Sequence, residues 1–372
     1  MKVKSSNWRV GDWVEVRSKV EILQTLDADG RLEGMPFMPE MLAFCGRRFQ
    51  VYKRAHKTCD TVFPVRGRRV SRAVHLDTRC DGSAHGGCQA SCVFFWKDAW
   101  LKPAAGASPA LPDAAVPANG SHSPVAAAPG CTEAVVWERT QSPGASGELP
   151  VYSCQATRLP YATADLAWWD IRQYVEDLTS GNVGLWQVIC GASYFFFLWL
   201  SRAGIGLGRP IRWAFDHLHP LWGGAPYPRR TGTIPYGEPT PAADLSLEPG
   251  DLVRIKPYRQ ILQTLNSRNR NRGLYFDAEE VPYCGQVRRV AKRVTRIIEE
   301  RTGKMLEMKT PCYILDSVIC ESRYSECRLF CPRSITPYWR EIWLERVEPA
   351  AGAEAGPAAH AEPSDLPESV RR

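Results

Sequence analysis

The residues in this chain best equipped for chemistry are its cysteines, 13 in 372 positions. Eight of them form two quartets: Cys45, Cys80, Cys88 and Cys92, then Cys284, Cys320, Cys327 and Cys331. Members of the second quartet lie 239 residues beyond those of the first, or 240 for Cys320. Four thiolates in tetrahedral reach make a structural Zn²⁺ site, and in a small domain such an ion contributes directly to folding. The same donors suit an iron–sulfur cluster. In an oxidising compartment they would pair as Cys45–Cys80 and Cys88–Cys92 disulfides, and buried thiols also pack as small apolar groups with no further role. The spacing C-x7-C-x3-C is no standard ribbon or finger. The expectation of two zinc sites therefore rests on the duplication of all four positions.

Other reactive groups carry weaker signals. His85 sits in DGSAHGGC, but the matching CESRYSEC has no histidine, so a site shared by both quartets cannot need it. Cys59 lies close to His56 and Asp60, a neighbourhood that suits a nucleophile. A metal- or thiol-dependent enzyme acting through Cys59, His56 or His85 is thus the alternative to a binding protein. The sequence has no phosphate-loop, nucleophile-elbow, zincin or dinucleotide motif, and no catalytic residue is assigned.

The quartets belong to a longer internal repeat. ILQTL occurs at 22–26 and 261–265, and the agreement continues at the same shift. Gly11-Asp12 meets Gly250-Asp251, Phe37 meets Phe276, Glu40 meets Glu279, and FWKDAWL (95–101) meets YWREIWL (338–344) after a four-residue insertion. Two homologous domains are expected, at 8–103 and 247–349. The Ala/Pro/Gly/Ser-rich stretches 104–130 and 350–372 read as a disordered linker and tail. Between linker and second copy, 131–246 reads as a helical region, with a helix from Thr163 or Asp165 to Gly181.

Each copy is expected to place its cysteines with short strands. GDWVEV alternates as a strand, Ser18-x-x-Glu21 is a capping-box pattern, and FWKDAWL closes the unit as an aromatic strand. VRRVAKRVTRII (287–298) has helical spacing of valines, but its partner RRFQVYKRAH reads as a strand, and paired copies should share a fold. In the second copy the turn EERTGK centres on Thr302, which sets Cys284 opposite Cys320 in an antiparallel hairpin; the same reasoning sets Cys45 opposite Cys80.

The opening GD-V-V strand, the segment from Met41 to Val51 and the closing W-L edge resemble SH3-like barrels. The resemblance implies a mainly β fold, two small SH3-like β-barrels joined by a disordered linker and a helical segment. The whole layout also resembles an uncharacterised bacterial family with SAHGGCQ and YWREIWLERV segments. That resemblance implies a link to envelope-polysaccharide systems.

Charge and hydropathy bound the partners. The net charge is +7, and residues 250–348 carry 19 Lys/Arg against 13 Asp/Glu. Arg288, Arg289, Lys292, Arg293 and Arg296 lie on one element and are a candidate anion-binding face. It would serve a protein or anionic polymer partner, or a nucleic acid. NVGLWQVICGASYFFFLWLS (182–201) has no charged residue and is followed by Arg202, Arg209 and Arg212. It reads as a buried or interfacial helix, an in-plane anchor or a span, so membrane-surface contact through 182–213 is expected. With no secretory signal, the expected location is cytoplasmic, peripheral on the inner face of the membrane.

Overall fold

The computed structural model describes residues 7–62, 66–104, 131–144, 149–203, 208–219 and 224–347. The expected linker beyond residue 104 and the expected tail lie outside the described residues. In the first part of the chain the elements are β1 (Trp13–Val16), α1 (Lys19–Leu23), β2 (Arg48–Arg54), β3 (Lys57–Cys59), β4 (Gly67–Arg69), β5 (Ala73–Leu76), β6 (Trp96–Lys97) and β7 (Leu101–Pro103). The middle holds α2 (Glu133–Glu138), α3 (Gln155–Ala162), β8 (Ala164–Leu166), α4 (Arg172–Ser180), α5 (Leu185–Arg202) and α6 (Gly208–Leu218). Then follow β9 (Leu252–Ile255), α7 (Tyr258–Leu262), β10 (Val287–Ile298), β11 (Met305–Leu315) and β12 (Leu344–Arg346). Strands are 26% and helices 27%, in several small antiparallel sheets. Strand and helix are therefore nearly equal in share, the helix coming mostly from the middle region.

The chain forms two compact units. The first comprises residues up to Val183 with 294–311 and 319–337. Its main sheet has the order β6-β5-β2-β1-β7. Alternation in WVEV buries Val14 and Val16 on one face. Ser18 accepts from the Glu21 N–H while the Glu21 carboxylate accepts from the Ser18 N–H, so α1 begins at the expected capping box. Behind the sheet, Phe37 meets Trp100 edge-on at 5.2 Å, and Trp100 donates its indole N–H to Thr25 Oγ1 at 3.1 Å. Two features differ from the expected layout. Residues 57–59 and 67–69 leave the hairpin and form a separate sheet with β8, in the order β8-β4-β3. Val136, Leu159 and Ala162 of the middle region join the core of the first copy, so the compact unit does not end at 103. The expected helix after Thr163 starts instead at Arg172, because 164–166 pair with β4; it ends as expected at Gly181, whose φ of 80° is left-handed.

The second unit comprises 184–293, 312–318 and 338 onward. It repeats the frame at the same shift. β9 pairs with β10 and β12, as β1 pairs with β2 and β7. Residues 287–298 are a strand, as their counterpart indicated and their own valine spacing did not. Phe276 meets Trp343 at 5.2 Å, and Trp343 donates to Thr264 Oγ1 at 3.0 Å. Thr25 and Thr264 each donate their hydroxyl back to the isoleucine three residues earlier at 2.7 Å. Pro257 gives α7 no side-chain cap.

The expected Cys45–Cys80 register is not found. β2 and β5 pair as Val51↔Leu76 and Lys53↔His75, with a bulge between Val51 and Lys53. Cys45 lies before β2, at the end of the 3₁₀ turn Pro39–Phe44, with its N–H on the Leu42 carbonyl. The departure of β3 and β4 into another sheet interrupts the hairpin that the register assumed.

Candidate metal centre

The site is built from a loop, a turn and a buried acid, all in the first unit. The loop Asp81–Cys88 folds on itself: the N–H groups of His85 and Gly87 both reach the Gly82 carbonyl at 3.0 Å, and Asp81 Oδ1 accepts from the Ser83 N–H. Gly82 has φ 76°, and a Cβ there would lie 2.0 Å from the Cys88 carbonyl oxygen. Only glycine fits, and the turn it permits carries His85 inward. Cys80 is held at the loop's entry by its N–H on the Cys92 carbonyl at 2.8 Å. Glu40 comes from the Pro39–Phe44 turn, between Met38 and Met41, which are both buried.

These three side chains converge. Among the described residues, Glu40, Cys80 and His85 are the one set of three His, Cys, Asp or Glu residues whose donor atoms lie within 4.8 Å of one another. His85 Nδ1 is 2.7 Å from Glu40 Oε1, and the Cys80 thiol is 3.6 Å from the same oxygen. The side chains of His85 and Glu40 are 1% and 3% exposed. Glu40 Oε1 also accepts from the Ala84 N–H at 3.2 Å, whereas Oε2 is buried and has no hydrogen-bond partner. A buried carboxylate oxygen without a partner is costly unless a cation neutralises it. The other imidazole nitrogen, Nε2, is 3.2 Å from the Ser153 carbonyl, which can only accept. A ring protonated at Nδ1 donates to Glu40 Oε1, and one protonated at Nε2 donates to Ser153 and would leave its Nδ1 lone pair for a metal.

Cys80 and His85 also line a cavity of about 30 Å³, with Cys88, Cys92, Cys154 and Arg333 in its walls. Its volume admits about one small occupant. Burial pushes the thiol of Cys92 up to about 12 and that of Cys154 up to about 11. Burial, then the Glu40 charge, raises Cys80 further. In this state these are protonated thiols, and a metal that binds them must displace a proton.

The two expected quartets fare unequally. Cys80, Cys88 and Cys92 share the cavity, but Cys45 is not among its lining residues and sits near Lys19 and Glu133. In the second quartet, Cys284 belongs to the second unit while Cys320, Cys327 and Cys331 belong to the first. Neither Cys80, Cys88 and Cys92 nor Cys320, Cys327 and Cys331 are gathered as closely as the Glu40 set. Cys320 Sγ lies 3.4 Å from Ser322 Oγ, and Cys327 has a left-handed φ of 59° in a polar loop. Cys331 instead meets Cys59, whose N–H donates to its sulfur at 3.0 Å. The Cys331 thiol hydrogen bond and then the Arg333 charge lower Cys59 below the ordinary thiol range. Arg333 is buried and pairs with Glu300 at 2.8 Å.

The three groups considered for catalysis go to separate partners. Cys59 binds Cys331 and His85 binds Glu40. His56 Nε2 lies 3.2 Å from the fully buried Asp177, which also takes Lys57 at 2.5 Å. The expected cationic face is also divided. Along β10, Arg288, Lys292 and Arg296 point to one side and Arg289 and Arg293 to the other, since strand neighbours alternate. Arg289 is taken by the Gly250 carbonyl at 2.6 Å and Arg296 by Glu307 at 3.2 Å.

Sequence reasoning missed Glu40 and Cys154 as site residues and set His85 aside. The available signal for Glu40 was an acid embedded in FMPEM, an otherwise apolar run. No family model matches this chain, and no curated protein matches it.

Proposed function

We propose that this chain is a non-enzymatic binding or scaffold protein built on two related SH3-like barrels, the first of which is locked by one structural Zn²⁺. Glu40, Cys80 and His85 hold the ion, and the cavity sulfurs Cys88, Cys92 and Cys154 are the pool from which a fourth donor is drawn. The observation that carries the reading is the buried, unpartnered Glu40 Oε2 beside a thiol and an imidazole. A mixed oxygen, sulfur and nitrogen set suits zinc, whereas iron–sulfur clusters are held mainly by thiolates. The ion would tie the 81–88 loop to the Pro39–Phe44 turn and so fix the loop's outer surface for a partner. The two copies keep framework residues while their loops differ, as expected of modules for different protein or anionic partners. Ligand cysteines of this kind stay reduced in a cytoplasmic setting. The barrel reading is supported by the shared strand pairing and by the closing tryptophan edge in each copy.

Cobalt substitution tests the site. Apo protein titrated with Co²⁺ is expected to take one equivalent with tetrahedral absorption and thiolate charge transfer. Cys80→Ser should remove or sharply weaken the charge transfer, and His85→Gln, which removes a ligand, should sharply weaken binding. An absorption that Cys80→Ser and His85→Gln leave unchanged would refute the assignment.

A further inference from the structure

The second unit contains a helix whose chemistry its own packing leaves unsatisfied. α5 has 18 residues with a single charge, Arg202 at its end. One side is used: Tyr194 and Phe197 meet Phe215 of α6 at 5.9 and 5.6 Å, and Gly191, Leu198 and Ser201 are buried. The opposite side is apolar as well. Leu185, Trp186, Ile189, Phe196 and Trp199 are between 46% and 67% exposed, and Trp213 of α6 is 63% exposed. Scattered exposed apolar residues are ordinary, but a stripe of them along one helix face marks a surface that something else covers. A helix apolar on all sides belongs inside a protein or against lipid.

Charge decides between those covers. Arg202 is exposed at the end of α5, one turn from Trp199, and Arg209 and Arg212 are exposed in the first turns of α6. A cationic end next to an indole ring matches the headgroup zone of a bilayer, where tryptophan is enriched and anionic lipid attracts arginine. No helix among the described residues is long and apolar enough to cross a membrane. The stripe from Leu185 to Trp199 runs about 21 Å along the helix and can lie flat at the interface. We infer that the outward face of α5 is an in-plane docking surface for an anionic lipid bilayer, with Arg202, Arg209 and Arg212 at the phosphate level. This inference does not depend on the metal centre.

Flotation of the full chain with vesicles tests it. Phosphatidylglycerol–phosphatidylcholine vesicles are expected to carry the protein, with a blue shift of tryptophan emission, and pure phosphatidylcholine vesicles to carry far less. The double variant Phe196→Ser, Trp199→Ser removes exposed groups only, and should lower the partition roughly tenfold or more while the circular dichroism spectrum stays native. Arg209→Glu should lower it roughly tenfold at low salt and less at high salt, because screening weakens the attraction. Equal binding to neutral and anionic vesicles, or binding unaffected by these substitutions, overturns the proposal. So does a native-like dimer that the serine variant dissociates, since the face would then belong to a second copy.

Discussion

In the first copy Trp100 hands its indole proton to Thr25, and in the second Trp343 hands its own to Thr264. Phe37 and Phe276 meet those tryptophans at the same 5.2 Å, with interplanar angles of 79° and 80°. Gly46 and Gly285 each bind back to the last residue of the opening strand, at 2.9 and 2.8 Å. Away from this frame the copies part. The first has Glu40, Cys80 and His85 gathered around one buried point, and the second has no histidine between Cys320 and Cys327. The contrast comes down to one loop residue: Glu40 and Cys80 have counterparts in Glu279 and Cys320, as the frame residues do, and His85 has none.

The comparison can be broken most forcefully at the frame. Trp100→Ala and Trp343→Ala each remove a fully buried indole and are expected to cost about 3–5 kcal/mol in denaturant unfolding. Unequal losses would show that the two aromatic cores are less alike than their geometry. Next in size is the metal. Zinc at a hundredfold above its dissociation constant should stabilise the protein by about 2.7 kcal/mol, seen as a rise in the thermal midpoint that a chelator reverses. Its ligands must lose protons to bind, so this gain should shrink as pH falls from about 8 to 6. The Cys284→Ser variant should keep the gain, and its loss there would restore a role for the second quartet.

A finer test uses one difference inside the shared frame. Trp96 donates its indole N–H to Thr78 Oγ1 at 2.9 Å, while the indole N–H of Trp339 is buried with no partner. Trp96→Phe should therefore cost about 1–2 kcal/mol more than Trp339→Phe in parallel urea titrations. Smallest of all, Ser18→Ala should cost about 1 kcal/mol through loss of the α1 cap, while Pro257→Ala loses no capping hydrogen bond.

The frame was legible because it is written twice. The alignment assigned 287–298 to a strand against its own valine spacing, and the capping box and Gly181 marked helix ends by local chemistry alone. What stayed hidden depends on chain paths that local pattern does not encode. The register that set Cys45 against Cys80 assumed an unbroken hairpin, and instead 67–69 pair with both 57–59 and 164–166. Cys154 reaches the cavity because α3 packs on the first copy's core, and nothing near Cys154 announces that. His85 was set aside by demanding symmetry between copies, although a loop histidine is the kind of residue that one copy can gain alone.

The most direct measurement is the zinc content of the full chain, purified anaerobically without added metal, beside the same measurement on His85→Ala and Glu40→Ala. One zinc per chain, falling toward zero in both variants, is the expected result. Two zinc per chain, or a content that neither substitution changes, would contradict a single centre built on Glu40, Cys80 and His85.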